Sequence, residues 1–526
     1  MSSPHTEKGL STFHLTMLAL GTVVGGSFFL GSGVAIKTAG PSVLIAYIIG
    51  AVLVYLILYA LSEMTVADPV SGSFRTYAER SFGSGLGFVT GWFYWTGIVF
   101  AMSSESIAAS TFLKEWFPDL STAWTGGLII VAVTLLNLLG AERLSKLESG
   151  LAAVKLLSIV GFIVIGLAII AGLMPDTPAA GAGELRTEPW MPGGITGIAG
   201  SMLIVIFTYA GFEVIGLAAS EVKNPQQTIP RAIHFTILGL AGLYVTSLLV
   251  FLPLFPTGAI VEEQSPIVLA LTRWGMNWAG TVMHVVMITA IISTMLAATF
   301  ALGRMIRSLA EENQAPKFLK DQRDIPYRGI LFSGVAMLAG LGLGLFLPQQ
   351  VYVFLISSGG FSLLFSYLVI LAAHYRWRKS HGCPDGTICR LRWFPYSSWI
   401  GMVSLVAVMI SMPFVSGQGA GLIAGLILLV CYSALYLVKK KWFTREADRA
   451  LDLKRANDAG PVKPSPTHWQ TEAAQEWDLN EMSLPIQGAN EETERNKRGS
   501  KGRSRGRSKE EKQRKDKRMD QKHPKQ

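Results

Sequence analysis

Three charged side chains fall inside stretches that are otherwise apolar: Glu105, Lys155 and Glu213. A charge carried into hydrocarbon is costly, and it persists where it pairs, lines a path or moves a proton. Each has two readings. Lys155, once buried, would give up a proton at a usable pH; alternatively it lies near a helix end, a few residues past Glu148, and snorkels to the interface. Glu213 is either a proton carrier or a carboxylate that accepts backbone N–H groups where a helix unwinds. Glu105 either reads the side chain of a ligand or pairs within a bundle. His284 reads as a packed polar residue, and Glu221 with Asn224 as the cap and gate of an inner loop.

Two glycine-interrupted segments accompany these charges. They are Gly21-Thr22-Val23-Val24-Gly25-Gly26-Ser27-Phe28-Phe29 and Phe207-Thr208-Tyr209-Ala210-Gly211-Phe212-Glu213. Each lies in a run long enough to cross a bilayer. A helix broken at that depth leaves N–H and C=O groups that lipid cannot satisfy, so protein or a watery cavity must supply partners. Paired breaks in two halves of a chain point to a midplane binding site.

The elements that must position these groups are membrane helices. The chain has 526 residues, 50% hydrophobic and 16% charged, against about 25% charge in ordinary soluble domains. Runs near 12–36, 41–66, 86–112, 122–141, 150–174, 196–220, 232–256, 279–303, 329–347, 350–374, 396–416 and 420–438 are each long enough to span hydrocarbon, which predicts twelve spans. Alternate loops hold eighteen Lys or Arg on one side and four on the other. Positive residues favour the cytoplasm, so both termini are expected there, in the cell membrane. The first run is too long for a cleaved signal peptide and lacks a cleavage pattern.

Several motifs in order resemble the amino acid–polyamine–organocation superfamily of permeases, in its bacterial amino-acid transporter branch. They are Gly21 to Gly33; Pro69-Val70-Ser71-Gly72-Ser73-Phe74 with Tyr77-Ala78; Trp116-Phe117-Pro118; and Gly211-Phe212-Glu213 through Ala218-Ala219-Ser220-Glu221, Asn224-Pro225 and Ile229-Pro230. The resemblance covers about 8–440. It implies an all-α polytopic fold with a transporter domain over 1–441: a five-helix repeat at about 12–174, its inverted copy at about 196–374 with helices 1 and 6 broken, and two extra helices at about 396–438. It also implies secondary active amino-acid transport, with the proton as coupling ion and no other cofactor.

A free L-amino acid is a zwitterion, and both its charges need partners in a dry site. N–H groups at a helix break suit a carboxylate, and unwound carbonyls suit an ammonium. By the resemblance, Val24, Gly25, Gly26 and Ser27 take the carboxylate. Carbonyls near Phe207, Tyr209, Ala210 and Gly211 take the amine, and Phe207 closes over the ligand. Lys155 then fills the place of sodium in sodium-coupled relatives, Lys155 and Glu213 are proton-coupling candidates, and Glu105 is a candidate for side-chain selectivity. The usual family order at 25–27 is Gly, Ser or Thr, Gly; here it is Gly25-Gly26-Ser27, which displaces the hydroxyl by one position. A neutral substrate is expected. The alternatives are an amino-acid exchanger and a membrane sensor.

Other functions are poorly served. No P-loop of the GxxxxGK[ST] kind is present, and no His/Asp/Ser constellation converges on one plane, so an enzyme is not expected. Cys383 and Cys389 have poor spacing for zinc, and no metal is expected. From 442 to 526 the sequence turns polar and reads as a disordered cytoplasmic tail. Its part from 495 onward holds fifteen Lys or Arg and four Asp or Glu, a net of +11 against +10 for the whole chain. Such a block reads as a solvated extension, with anionic lipid as its candidate partner beside the bilayer itself. The Arg503–Ser508 run is the feature that would suit RNA, but nucleic acid is not expected.

Overall fold

The computed structural model describes residues 10–458, apart from 71, 175–177, 220, 221, 223, 262, 263, 322–324, 344–350, 383–390 and 416; the side chains of 141–146, 351–353 and 442–458 are not described. Glu221, Cys383, Cys389 and the basic tail therefore lie outside the described residues. Among the described residues every regular element is helical, and the β contact is an isolated bridge between Leu10 and Val222. The chain divides into a unit Met1–Arg445 and a unit Glu446–Gln526.

The α-helices are α1 Thr12–Val23, α2 Gly26–Phe29, α3 Gly31–Ala39, α4 Val43–Ala67, α5 Ser73–Phe82, α6 Ser84–Lys114, α7 Thr122–Asn137, α8 Ala141–Ala171, α9 Gly194–Tyr209, α10 Val214–Leu217, α11 Pro225–Leu254, α12 Pro266–Arg273, α13 Asn277–Glu311, α14 Tyr327–Gly342, α15 Val351–His381, α16 Tyr396–Ser411 and α17 Gln418–Asp458. Among the described residues nine segments are long and apolar enough to cross a membrane, and α1, α7 and α14 are shorter apolar helices. The short α5 and α12 were not among the sequence-derived elements. The helix α17 continues to Asp458, beyond the change to polar sequence at 442.

Enclosure differs sharply between helices. The apolar windows of Ser84–Leu113 and Phe354–His381 are each 83% buried, whereas that of Gln418–Lys441 is 11% buried. The first two therefore build the interior, and the last leaves its apolar side chains for lipid. Within this core, α6 packs against α13 and α15, α3 against α9, and α1 against α8 and α11. The first interrupted segment, α1–α2, thus meets the long helices α6, α8 and α13, while the second, α9–α10, packs against α3, α4 and α15 and touches α1 and α2.

Candidate substrate site

At the first break, α1 ends at Val23, and Val24 and Gly25 leave the helix for extended backbone. The chain re-enters helix at Gly26, whose N–H and that of Ser27 point at one side chain. Glu105 Oε2 accepts from Gly26 N at 2.8 Å, and Oε1 from Ser27 N at 2.9 Å. The Val24 carbonyl accepts from Thr294 Oγ1 at 3.2 Å. Glycine at 26 is what lets the carboxylate come this close: a Cβ there would lie 2.5 Å from Glu105 Oε2. Of the four residues assigned to a ligand's carboxylate, Gly26 and Ser27 thus give their N–H groups to the protein's own carboxylate in this conformation. That partnership could not be read from the sequence.

At the second break, α9 ends at Tyr209, Ala210 is extended, and Gly211 has φ +109°. Side chains rarely adopt that φ, so this position favours glycine. Glu213 then folds back: Oε2 accepts from Gly211 N at 3.0 Å and from Tyr367 OH at 3.0 Å, and Oε1 accepts from Tyr94 OH at 2.9 Å. The backbone-accepting reading of Glu213 describes its geometry. Around it, the Tyr244 hydroxyl donates to Thr208 O at 3.2 Å, the Tyr209 hydroxyl to Tyr47 O at 3.2 Å, and Phe28 stacks on Tyr244 at 4.1 Å. These aromatic contacts tie the second break to the first.

Lys155 is fully buried, so it does not snorkel. The reason is that α8 begins at Ala141, nine residues before the span expected from hydropathy, and Lys155 sits about four turns into the helix instead of near its end. Its ammonium donates to the Gly21 carbonyl at the end of α1, to Ser293 Oγ at 3.0 Å and to Thr294 Oγ1 at 3.5 Å. A cation fits a helix C-terminus, where carbonyls lack helical partners and the dipole is negative. Ser293 in turn donates to Glu148 Oε1 at 2.8 Å.

One cavity lies between the breaks, lined among others by Thr22, Ser27, Tyr94, Met102, Glu105, Phe207, Ala210, Gly211, Glu213 and Thr294. The centres of water-sized molecules have about 40 Å³ available in it, room for roughly three waters at about 10–15 Å³ each. Of the candidate residues, Ser27, Glu105, Phe207, Ala210, Gly211 and Glu213 reach its wall. Val24, Gly25, Gly26, Tyr209 and Lys155 stand behind it. Sequence reasoning did not find Tyr94, Tyr367, Ser293, Thr294 or Glu148, because hydroxyls in apolar helices are common and carry no positional signal. For Glu148 a signal existed: seven residues before Lys155 is the same helix face. Asn224 sits at the N-cap of α11, but its side chain makes no capping bond there, contrary to the expected role.

Apolar helices of bilayer length, with two interrupted segments facing one cavity between buried carboxylates, define a multi-pass membrane protein whose site lies within its helix bundle. The chain belongs to the amino acid permease family, whose sequence profile matches residues 14–451. It is 29% identical over 445 residues to the gamma-aminobutyric acid permease of Bacillus subtilis (strain 168), covering 83% of this chain and 94% of that one. It is 28% identical over 439 residues to the aromatic amino acid transport protein AroP of Escherichia coli (strain K12), covering 83% and 96%. Among solved structures, a mutant of the Eremococcus coleocola manganese transporter shares the fold with a TM-score of 0.55 at 14% identity, over 85% of this chain and 97% of that one. The relatives are transporters, not enzymes.

Proposed function

We propose that this chain is a secondary active transporter that carries a free L-amino acid across the cell membrane together with a proton, by alternating access around the cavity between the two breaks. In this reading α1–α3 together and α4 make the first two spans and the shorter α7 and α14 also span, giving twelve spans with both termini cytoplasmic and two inverted repeats. The observation that carries the reading is the seat of Lys155. A fully buried ammonium bridges the end of α1 to Ser293 and Thr294 on α13, so its protonation bears on whether those two helices stay together. Protonated, it satisfies the Gly21 carbonyl; neutral, it holds that carbonyl more weakly, and α1 is freer to move.

The ligand's two charges find unequal seats. Its ammonium meets Glu105, Glu213 and the carbonyls freed by the break after α9. Its carboxylate can take the Gly26 and Ser27 N–H groups only when Glu105 withdraws from them. A ligand larger than a few heavy atoms requires Phe207 or α10 to shift, since the cavity has room for roughly three waters. The gamma-aminobutyric acid and aromatic relatives differ in side chain, yet their named ligands share an ammonium and a carboxylate, which is what the two breaks address.

The test is reconstitution in liposomes with radiolabelled amino acids, with and without an inward proton gradient. Accumulation that requires the gradient supports the proposal. Uptake that ignores the gradient but responds to internal amino acid would make the chain an exchanger, and binding without flux would make it a sensor.

A further inference from the structure

We propose that Glu148 is the proton relay between Lys155 and the cytoplasm, reached through the Ser293 hydroxyl; this rests on the proton-coupled reading above. Glu148 and Lys155 are seven residues apart on α8, which places them on one face, about two turns and roughly 10 Å apart along the axis. Ser293 fills the gap from α13. It accepts from Lys155 Nζ at 3.0 Å and donates to Glu148 Oε1 at 2.8 Å. The three groups form one unbroken hydrogen-bonded chain, and all three are buried.

Two further observations fit a relay better than a static anchor. Glu148 lies in the first turn of the apolar segment Leu147–Ala171. With the termini cytoplasmic, that end of α8 is the inner one, so Glu148 stands between Lys155 and the cytoplasm. Its Oε2 is buried and has no hydrogen-bond partner among the described residues. An ionised carboxylate with an orphan oxygen is expensive to bury, and the neutral acid is less so. The first break also approaches closely: a Cβ on Gly21 would lie 3.1 Å from Glu148 Oε1, so α1 covers the carboxylate here and would expose it on moving away. The other charged group that acts on Lys155 among the described residues is Glu105, from α6; on Glu148 it is Lys155. The helices α1 and α13 present a carbonyl and hydroxyls to the pair.

The step balances. An N–H bond of Lys155 breaks as its proton bonds to Ser293 Oγ. The original Ser293 O–H breaks as that proton bonds to Glu148 Oε1. The ammonium becomes an amine, the carboxylate becomes an acid, and the serine is regenerated. Net charge in the pair is unchanged, so the low-dielectric surroundings place little obstacle in the way. Glu148 then releases its proton to cytoplasmic water when α1 uncovers it.

The test uses the full chain in liposomes with trapped pyranine and a radiolabelled mixture of amino acids including gamma-aminobutyrate. An inward gradient of one pH unit limits one-to-one symport to about tenfold accumulation. The wild type should approach that limit and acidify the lumen. Glu148→Gln should fall to an accumulation ratio of about one, with proton influx lost, while counterflow of labelled for unlabelled amino acid persists. Ser293→Ala, which removes the bridge and keeps both charges, should show the same split, and Glu148→Asp should restore part of the proton influx. Accumulation at the wild-type ratio in Glu148→Gln or Ser293→Ala overturns the relay. So does loss of counterflow together with accumulation in both, since that marks a structural role. A wild type that ignores the gradient refutes proton coupling itself, before any variant is compared, and the relay with it.

Discussion

Glu105→Gln is the substitution whose cost the geometry sets most directly. The carboxylate gives one oxygen to each of two adjacent N–H groups, Gly26 at 2.8 Å and Ser27 at 2.9 Å. A glutamine of the same shape has one oxygen and one NH₂, so one backbone N–H would face another donor. A hydrogen bond to a charged group contributes about 1.5–3 kcal/mol, and a stranded buried donor costs about 1–3 kcal/mol. Taking the lower ends together, the α1–α2 break is held about 2.5 kcal/mol less firmly in this conformation. If the transport cycle passes through it, initial uptake falls roughly 60-fold, since each factor of ten corresponds to about 1.4 kcal/mol. The assay is initial-rate uptake in liposomes, normalised to folded protein by size-exclusion profile. Glu105→Asp, shorter by one methylene, should fall between the two because it cannot reach both N–H groups. Uptake by Glu105→Gln within twofold of wild type would refute the claim that Glu105 organises the first break.

The neighbouring contacts set further expected outcomes. Gly211→Ala forces a side chain into φ +109° with its Cβ 3.1 Å from the Thr22 carbonyl; a loss of at least about 1 kcal/mol is expected, seen as a lower unfolding midpoint in detergent, and an unchanged midpoint counts against a required break. Tyr367→Phe removes one hydroxyl from Glu213 (3.0 Å) and should cost about 1.5–3 kcal/mol, with Tyr94→Phe coupling to it in a double-mutant cycle; strict additivity would show that the two hydroxyls do not share the carboxylate. At the ends of α5 and α13, buried Arg75 holds Glu312 at 2.5 Å and Glu79 at 3.1 Å. Burial, then the hydrogen bond and charge of Glu312, push the Glu79 carboxyl up. At Glu312 burial also pushes up, but hydrogen bonds from Arg75 and Glu79 and the Arg75 charge outweigh it and hold that carboxyl below its usual value. The Glu312 contribution to stability is therefore present above its unfolded pKa, about 4.3, and is lost as pH falls through the lower folded value; that of Glu79 runs the other way and fades as pH rises through its raised value. Unfolding midpoints of the wild type and Arg75→Gln across acidic pH should diverge above about pH 4 and converge below it, and superimposable curves would dismiss the pairing.

Much of the architecture was legible because its causes are local. Long uncharged runs must become helices in a bilayer, and Gly25, Gly26 and Gly211 mark where the helix cannot continue. The buried ionisable residues near the breaks were legible too, since Glu105, Lys155 and Glu213 stand out against apolar neighbours. Their partners were not. In a helix apolar on every side, no periodic face tells which neighbour a side chain meets. The hydropathy boundary near 150 put Lys155 at a helix end, and only the added turns from Ala141 moved it inside. At the tail, composition marks a change to polar sequence at 442, the division into units follows Arg445, and the helix α17 itself runs on to Asp458.

The sequence by itself determined a helical membrane chain, two breaks at given residues, and three ionisable groups near them. Only the tertiary structure decided that Glu105 takes the N–H groups of the first break, that Glu213 takes Tyr94 and Tyr367, and that Lys155 reaches Gly21 and, through Ser293, Glu148. The physical reason is sequence distance. The Glu105 bonds span 79 and 78 residues, and Lys155 lies 134 from Gly21 and 138 from Ser293. Such pairings arise when packed helices leave each buried donor or acceptor a partner within reach, and that is a property of the assembled bundle.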